Sequence, residues 1–176
     1  MDLRSTTLRS ERLSLEAFTA DDAAEVFDAV TPALTRFMSF EPSPSLEAFG
    51  EVWQEWLPQM AASTAAFLVV RENQTGQLLG VAGLHRIDSG EPEAGIWIKE
   101  RAHRRGFGRE AVSVIIAWAS ADFGATGLLW PVMEENHQSR RLAESLGGVI
   151  VGRDCLRKAN GVEHPEVIYK IPARAT

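Results

Sequence analysis

Hydrophobic and polar positions change their period several times along this chain, and the changes mark its elements. Leu13, Leu15 and Ala17 alternate with Ser14 and Glu16, the period of a half-buried strand. The stretch FTADDAAEVFDAV reads as a helix. Thr19 is placed to cap it, and Asp21 and Asp22 sit in its first turn, where carboxylates offset the helix dipole. Pro42 and Pro44 punctuate a loop, after which Phe49, Trp53, Trp56 and Leu57 recur at helical spacing. AAFLVV and LLGVAGLHRI flank RENQTGQ, whose Asn73 and Gly76 supply the turn of a hairpin. AGIWI is a further strand. Phe107 to Phe123 predicts a helix, TGLLWPVM a strand, and NHQSRRLAESLG a helix stopped by Gly147. VIVGRDCLR and EVIYKI form a closing hairpin across KANG.

The predicted order is therefore β-α-α-β-β-β-α-β-α-β-β. Hairpins at both ends and one βαβ crossover in the middle give a mixed sheet of the α/β (α+β) class. The crossover helix is apolar nearly all round. Phe107, Ala111, Val114, Ile115 and Trp118 share one face, and Val112, Ile116 and Ala119 make a second, as in a sandwiched helix. No repeat or linker interrupts the chain, and 176 residues suit a single domain spanning 1–176.

Composition narrows the function classes. Cys155 is the only cysteine, which excludes an intrachain disulfide and a cysteine-based metal cluster and suits a reducing compartment. The N-terminal MDLRSTTLRSERLSL lacks an apolar core of signal-peptide length, and no apolar run is long enough to span a membrane. The expectation is a cytoplasmic protein with no membrane partner. The net charge is −6, which argues against nucleic acid as a partner. An acidic surface with one local basic cluster suits an anionic ligand at the cluster and an amine elsewhere.

That cluster is AHRRGFGREAV. Gly106 and Gly108 allow close backbone approach, and the helix that follows presents unpaired N–H groups and a partial positive charge. Arg104, Arg105 and Arg109 add full charges, so the stretch has the chemistry of a diphosphate site. The plainer alternative is a glycine-relaxed turn with solvated arginines. GFGREA also fits the G-x-G-x-x-A dinucleotide fingerprint. That motif needs a strand running directly into its first glycine, and here KERAHRR intervenes.

Three stretches together, EAGIWIKERAHRRGFGREAV, MEENHQSRRLAESLGG and SERLSLEAFTADDA, resemble the GNAT superfamily of acyl-CoA N-acyltransferases, and its RimJ/RimL-like branch in particular. The resemblance runs from about Ser10 to Ile171. It implies a mostly antiparallel twisted sheet with a central splayed parallel strand pair and flanking helices. The family's pyrophosphate loop falls on HRRGFG, with His103 where a Gln or Arg is usual, and includes Gly106, Phe107 and Gly108. Asn136 and Ser139 match the family's second element, near the pantetheine arm and the CoA sulfur. The acyl-pantetheine is expected along Trp97, Ile98 and Lys99, in a gap where Pro131, which has no N–H, fits an interrupted ladder. The family often carries a tyrosine seven residues after the Asn; here that position is Ala143, so Ser139 becomes the candidate donor to the departing thiolate.

The resemblance implies acetyl-CoA as co-substrate, no metal, and an amine acceptor; a homodimer is compatible with it. The chemistry is acetyl transfer to a protein N-terminus or a small amine by direct attack in a ternary complex. A catalytically inactive acyl-CoA-binding sensor is the alternative. A backbone N–H near Trp97 or Ile98 would polarise the thioester carbonyl. Glu93, before AGIWI, is the expected general base, and His85, with an intrinsically suitable pKa, is its rival. Tyr169 stands apart in the last strand. Phe37, Phe40, Trp53 and Trp56 belong to the region that forms the acceptor wall in this family. Cys155 is expected to be a packed strand residue.

Overall fold

The computed structural model describes residues 1–159 and 161–173. Eight strands form one sheet: β1 (Thr7–Arg9), β2 (Leu13–Ala17), β3 (Ala65–Glu72), β4 (Leu78–His85), β5 (Glu93–Ile98), β6 (Gly127–Met133), β7 (Val149–Arg157) and β8 (Glu163–Pro172). Their spatial order is β1-β2-β3-β4-β5-β6-β8-β7. All neighbours are antiparallel except β5 and β6, which are parallel and share one register pair, Glu93 with Leu129. The mixed sheet is the one the element order predicts, and the splayed central pair is the one the family resemblance implies.

The connection between β5 and β6 is helix α5 (Phe107–Phe123), with the boundaries that its apolar pattern predicts. A left-handed glycine closes each end, Gly106 at φ +81° and Gly124 at φ +67°. Phe107, Ala111, Val112, Ile115, Ile116, Trp118 and Ala119 are buried, so both apolar faces are covered. Helix α6 (His137–Ser145) follows β6; the Asn136 side chain accepts from the Ser139 N–H at 3.1 Å and caps it. Gly147, at φ +85°, lies just past its end.

The N-terminal helices depart from the sequence reading in detail. α1 (Ala23–Ala29) is preceded by a short 3-10 turn with a Thr19–Asp22 capping box. The single helical stretch expected around Phe49–Leu57 is two helices, α3 (Leu46–Gln54) and α4 (Trp56–Ala61), hinged at Glu55. Pro58 is the cause: it has no N–H to give an ongoing helix, and in the first turn of a new one none is needed. β1 and the four-residue α2 (Pro32–Thr35) have no counterpart in the sequence reading, being too short for a period to show. Cys155 is exposed on the outermost strand β7, not packed. The turn of the closing hairpin includes Asn160, which lies outside the described residues.

One close approach shapes the centre of the sheet. A Cβ on Gly80 would stand 1.9 Å from the carbonyl oxygen of Trp97, so only glycine lets β4 and β5 meet there. Gly80→Ala should therefore lower stability by about 1–3 kcal/mol, the usual cost of overpacking. Chemical denaturation checks this; a midpoint equal to wild type would show that the strands separate without cost.

Candidate functional site

The divergence of β5 from β6 leaves backbone groups unpaired. Leu129 N–H bonds to the carbonyl of Pro92, so even-numbered residues of β5 face β6. The odd ones face β4, as the bond from Lys99 N–H to Leu79 confirms at 2.7 Å. Ile96 and Ile98 thus direct their N–H groups into the gap, whereas that of Trp97 points toward β4. Of the two expected carbonyl-polarising positions, Ile98 is oriented for the task and Trp97 is not. On the far side, Pro131 shares the direction of Leu129, and its missing donor lies on the unpaired side.

Two cavities meet in this gap. The larger, about 720 Å³, is a groove between the end of β5, the start of α5 and the start of α6. The smaller, about 430 Å³, lies between β5 and the N-terminal helices. Phe37, Met38, Ile96 and Trp97 line both, so the two adjoin at β5.

The groove collects most of the residues expected to hold a diphosphate and pantetheine. His103, Arg104, Gly106, Phe107, Gly108, Arg109, Asn136 and Ser139 all line it, with Trp97 and Ile98. The first intrahelical bond of α5 here runs from Glu110 to Gly106, which leaves the N–H groups of Phe107, Gly108 and Arg109 without helical acceptors. Arg104 has φ +61°, a conformation that costs a non-glycine residue roughly 1 kcal/mol. Its guanidinium has no partner among the described residues. Arg109 donates only to the Ser145 carbonyl, at 3.3 Å. His103 donates from Nε2 to the Ile98 carbonyl at 2.6 Å, tying the loop to the strand end.

Two expected residues are elsewhere. Arg105 turns away to pair with Glu72 at 3.0 Å and stacks over the Phe107 ring. Lys99 lines a separate shallow pocket beside Glu25 and Asp28. A residue missed by sequence reasoning is Arg12. It pairs with Glu110, donates to the Arg105 carbonyl at 3.0 Å and also lies over the Phe107 ring. No local motif marks it, because its partners lie over 90 positions away.

Ser139 is well defined. The indole N–H of Trp130 donates to its hydroxyl at 2.9 Å, so that oxygen is an acceptor to Trp130 and keeps its own proton to donate. Tyr169 is buried, donates to Glu144 at 2.8 Å and accepts from Arg140, and lines neither cavity.

The smaller cavity contains both candidate bases. His85 and Glu93 are direct cross-strand partners on β4 and β5. The imidazole lies against Gly83, where a Cβ would come within 2.6 Å of Nε2, and meets the Phe67 ring edge-on at 5.3 Å. Burial pushes the His85 pKa down, and the nearby Glu93 carboxylate partly opposes this. A third group, Glu166 of β8, lines the same cavity. Its carboxyl is pushed up by burial and by the charges of Asp154 and Glu93. The alternation in EVIYKI could show which face Glu166 occupies, but only the placement of β8 beside β6 brings it here. Phe37, Phe40 and Trp56 also line this cavity, while Trp53 packs against Phe18.

The profile of the acetyltransferase (GNAT) domain matches residues 12–149 of the chain. No curated protein matches it. Among solved structures it is similar to RimL, ribosomal L7/L12 alpha-N-protein acetyltransferase in complex with coenzyme A. The identity is 15% over 97% of this chain and 100% of that one, with a TM-score of 0.84. The spermidine N-acetyltransferase from Vibrio cholerae, in complex with CoA and spermine, is 19% identical over 93% and 97%, with a TM-score of 0.80. A GCN5-related N-acetyltransferase from Brucella melitensis is 20% identical over 98% and 81%, with a TM-score of 0.80. At these identities the likeness is one of fold.

The environment of His85 has a pH signature. The folded chain disfavours imidazolium, so its share of stability is complete above the ordinary histidine pKa of ~6.5 and is lost as pH falls below it. NMR titration should place the His85 midpoint below that ordinary value. Glu93→Gln should lower it further, since the carboxylate is the opposing influence; a wild-type midpoint above the ordinary value would contradict the burial argument, and an upward shift in the variant would contradict the part given to Glu93.

Proposed function

Because the chain belongs to the acetyltransferase (GNAT) domain family, we propose that it moves an acetyl group from acetyl-CoA to a primary amine, as a RimJ/RimL-like enzyme acting by direct attack in a ternary complex. The observation that carries this reading is that the two cavities share a wall, Phe37, Met38, Ile96 and Trp97, beside the β5–β6 gap. Donor and acceptor can enter from opposite sides and meet beside Ile96 and Trp97. The CoA complexes of two similar structures support the choice of donor.

In this reading the free N–H groups at the start of α5 and the Arg104 guanidinium receive the diphosphate, with Arg109 alongside. Asn136 holds the start of α6 against the pantetheine arm. The Ile98 N–H polarises the thioester carbonyl. Glu93, acting through an ordered water, takes the proton released as the amine nitrogen bonds to the carbonyl carbon. The carbon–sulfur bond then breaks, and Ser139, its oxygen held by Trp130, donates toward the departing sulfur. His85, already biased toward its neutral form, stands beside Glu93 as the alternative base. Positioning of the two reactants supplies much of the rate.

The two arginines separate this reading from a solvated turn. Arg104→Gly relieves a left-handed residue and removes a charge, so it should raise thermal stability slightly while weakening CoA binding. One charge-assisted contact contributes about 1.5–3 kcal/mol, roughly tenfold or more in affinity. Arg105→Ala should leave CoA affinity within about twofold. Calorimetry with CoA tests both, and equal effects would overturn the assignment.

Ser139→Ala should lower kcat more than it raises the KM for acetyl-CoA, read by thiol release. CoA binding with no turnover on any amine would instead favour a sensor.

A further inference from the structure

The smaller cavity is divided into an apolar body and an acidic end. Trp56 stacks on Phe67 at 4.5 Å with an interplanar angle of 6°, and Phe49 meets Trp56 edge-on at 5.9 Å. Val26 and Val81 continue this lining. The acidic end is made of Glu93 and Glu166, approached from two strands that the gap separates. Neither makes a hydrogen bond or ion pair among the described residues. Glu41, the third carboxylate at the rim, is already paired with Lys158. Among the described residues, no lysine or arginine lines the cavity.

This distribution fits one kind of cation. A single ammonium placed between Glu93 and Glu166 gains two carboxylate acceptors where none is otherwise paired. The remainder of the molecule must then lie against aromatic rings. The other polar groups of the lining are His85, Ser39, Ser43 and Glu41, the last already paired with Lys158, so a second ammonium would lose its hydration without an unpaired carboxylate in exchange.

We infer that the acceptor is a small primary monoamine with a compact apolar body, its ammonium received between Glu93 and Glu166 and its body against Phe49, Trp56 and Phe67. This rests on the acetyl-transfer reading for which cavity holds the amine. Glu166 is then a positioning residue: it helps receive the amine as ammonium, which loses one proton to solvent before the neutral nitrogen attacks, and the proton released on attack passes through the ordered water to Glu93. The size of the cavity, about 430 Å³, suits an arylalkylamine or a branched alkylamine held whole.

Gly95 offers a direct probe. It lines this cavity, and a Cβ there would meet nothing within 4 Å, so a side chain at 95 enters the open space and not the fold. Valine is also at home in a strand.

The experiment compares 2-phenylethylamine, ethanolamine, spermidine and a short peptide with an N-terminal serine, with acetyl-CoA and a thiol readout. 2-Phenylethylamine should exceed each of the others at least thirtyfold in kcat/KM. Glu166→Gln should raise its KM about tenfold with little change in kcat. Gly95→Val should reduce its kcat/KM more than tenfold while the thermal midpoint and CoA affinity stay at wild-type values. Equal or better turnover of ethanolamine, spermidine or the peptide overturns the inference, as does an unaltered KM in both variants. Calorimetry of 2-phenylethylamine with the CoA-saturated protein reads the cavity without turnover. Absence of binding there overturns the inference, whereas binding without turnover supports it and sinks the transfer reading alone.

Discussion

The constraint on which this molecule depends is the single register pair between β5 and β6. A sheet normally satisfies its backbone by pairing along the whole strand. Here pairing stops after Glu93 and Leu129, and every functional feature uses what that leaves. The groove and the smaller cavity are its two mouths. The Ile98 N–H is available because β6 has moved away, and Pro131 causes no defect because the ladder it would break is absent. Gly80 contributes from behind, allowing β4 to sit close against β5 where β5 has lost its other neighbour.

The loop before α5 is braced before any ligand arrives. Arg12 links Glu110, the Arg105 carbonyl and the Phe107 ring, and Ser10 donates to the same Glu110 at 2.7 Å. The guanidinium groups of Arg12 and Arg105 both lie over the Phe107 ring. Two of the basic residues around the loop are thus spent on its shape, which leaves Arg104 free to act on a ligand. Holding Arg104 in a left-handed conformation is a small cost, borne by a frame that fixes both of its neighbours, His103 and Arg105.

Much of this was legible in the sequence because it is local. The limits of α5 follow from an apolar run between glycines, and the cap at Asn136 from one residue type in the right place. The pairing of His85 with Glu93 follows from a hairpin connection. What was not legible depends on neighbours distant in sequence. Arg105 reads like Arg104 until Glu72, 33 positions earlier, draws it away. Trp97 and Ile98 are equivalent as donors until the sheet order says which side is unpaired. Glu166 is one carboxylate among many until β8 is placed beside β6. Cys155 has the pattern of a packed strand residue, but its strand is the outermost one, where alternation ceases to imply burial.

Lys158 carries a consequence for how the protein is assembled. Its buried ammonium donates to the carbonyls of Thr35 and Arg36 and pairs with Glu41, residues 117 to 123 positions earlier in the chain. These groups sit at the base of the segment that carries Phe37 and Met38, the residues shared by both cavities. During synthesis the early helices can form, but this segment gains its bonds to Lys158 only when the end of β7 has emerged and the sheet has closed around it. The wall shared by the two cavities is thereby among the last parts to become fixed, and a chain stalled before its final hairpin would have a sheet in progress but no finished pocket.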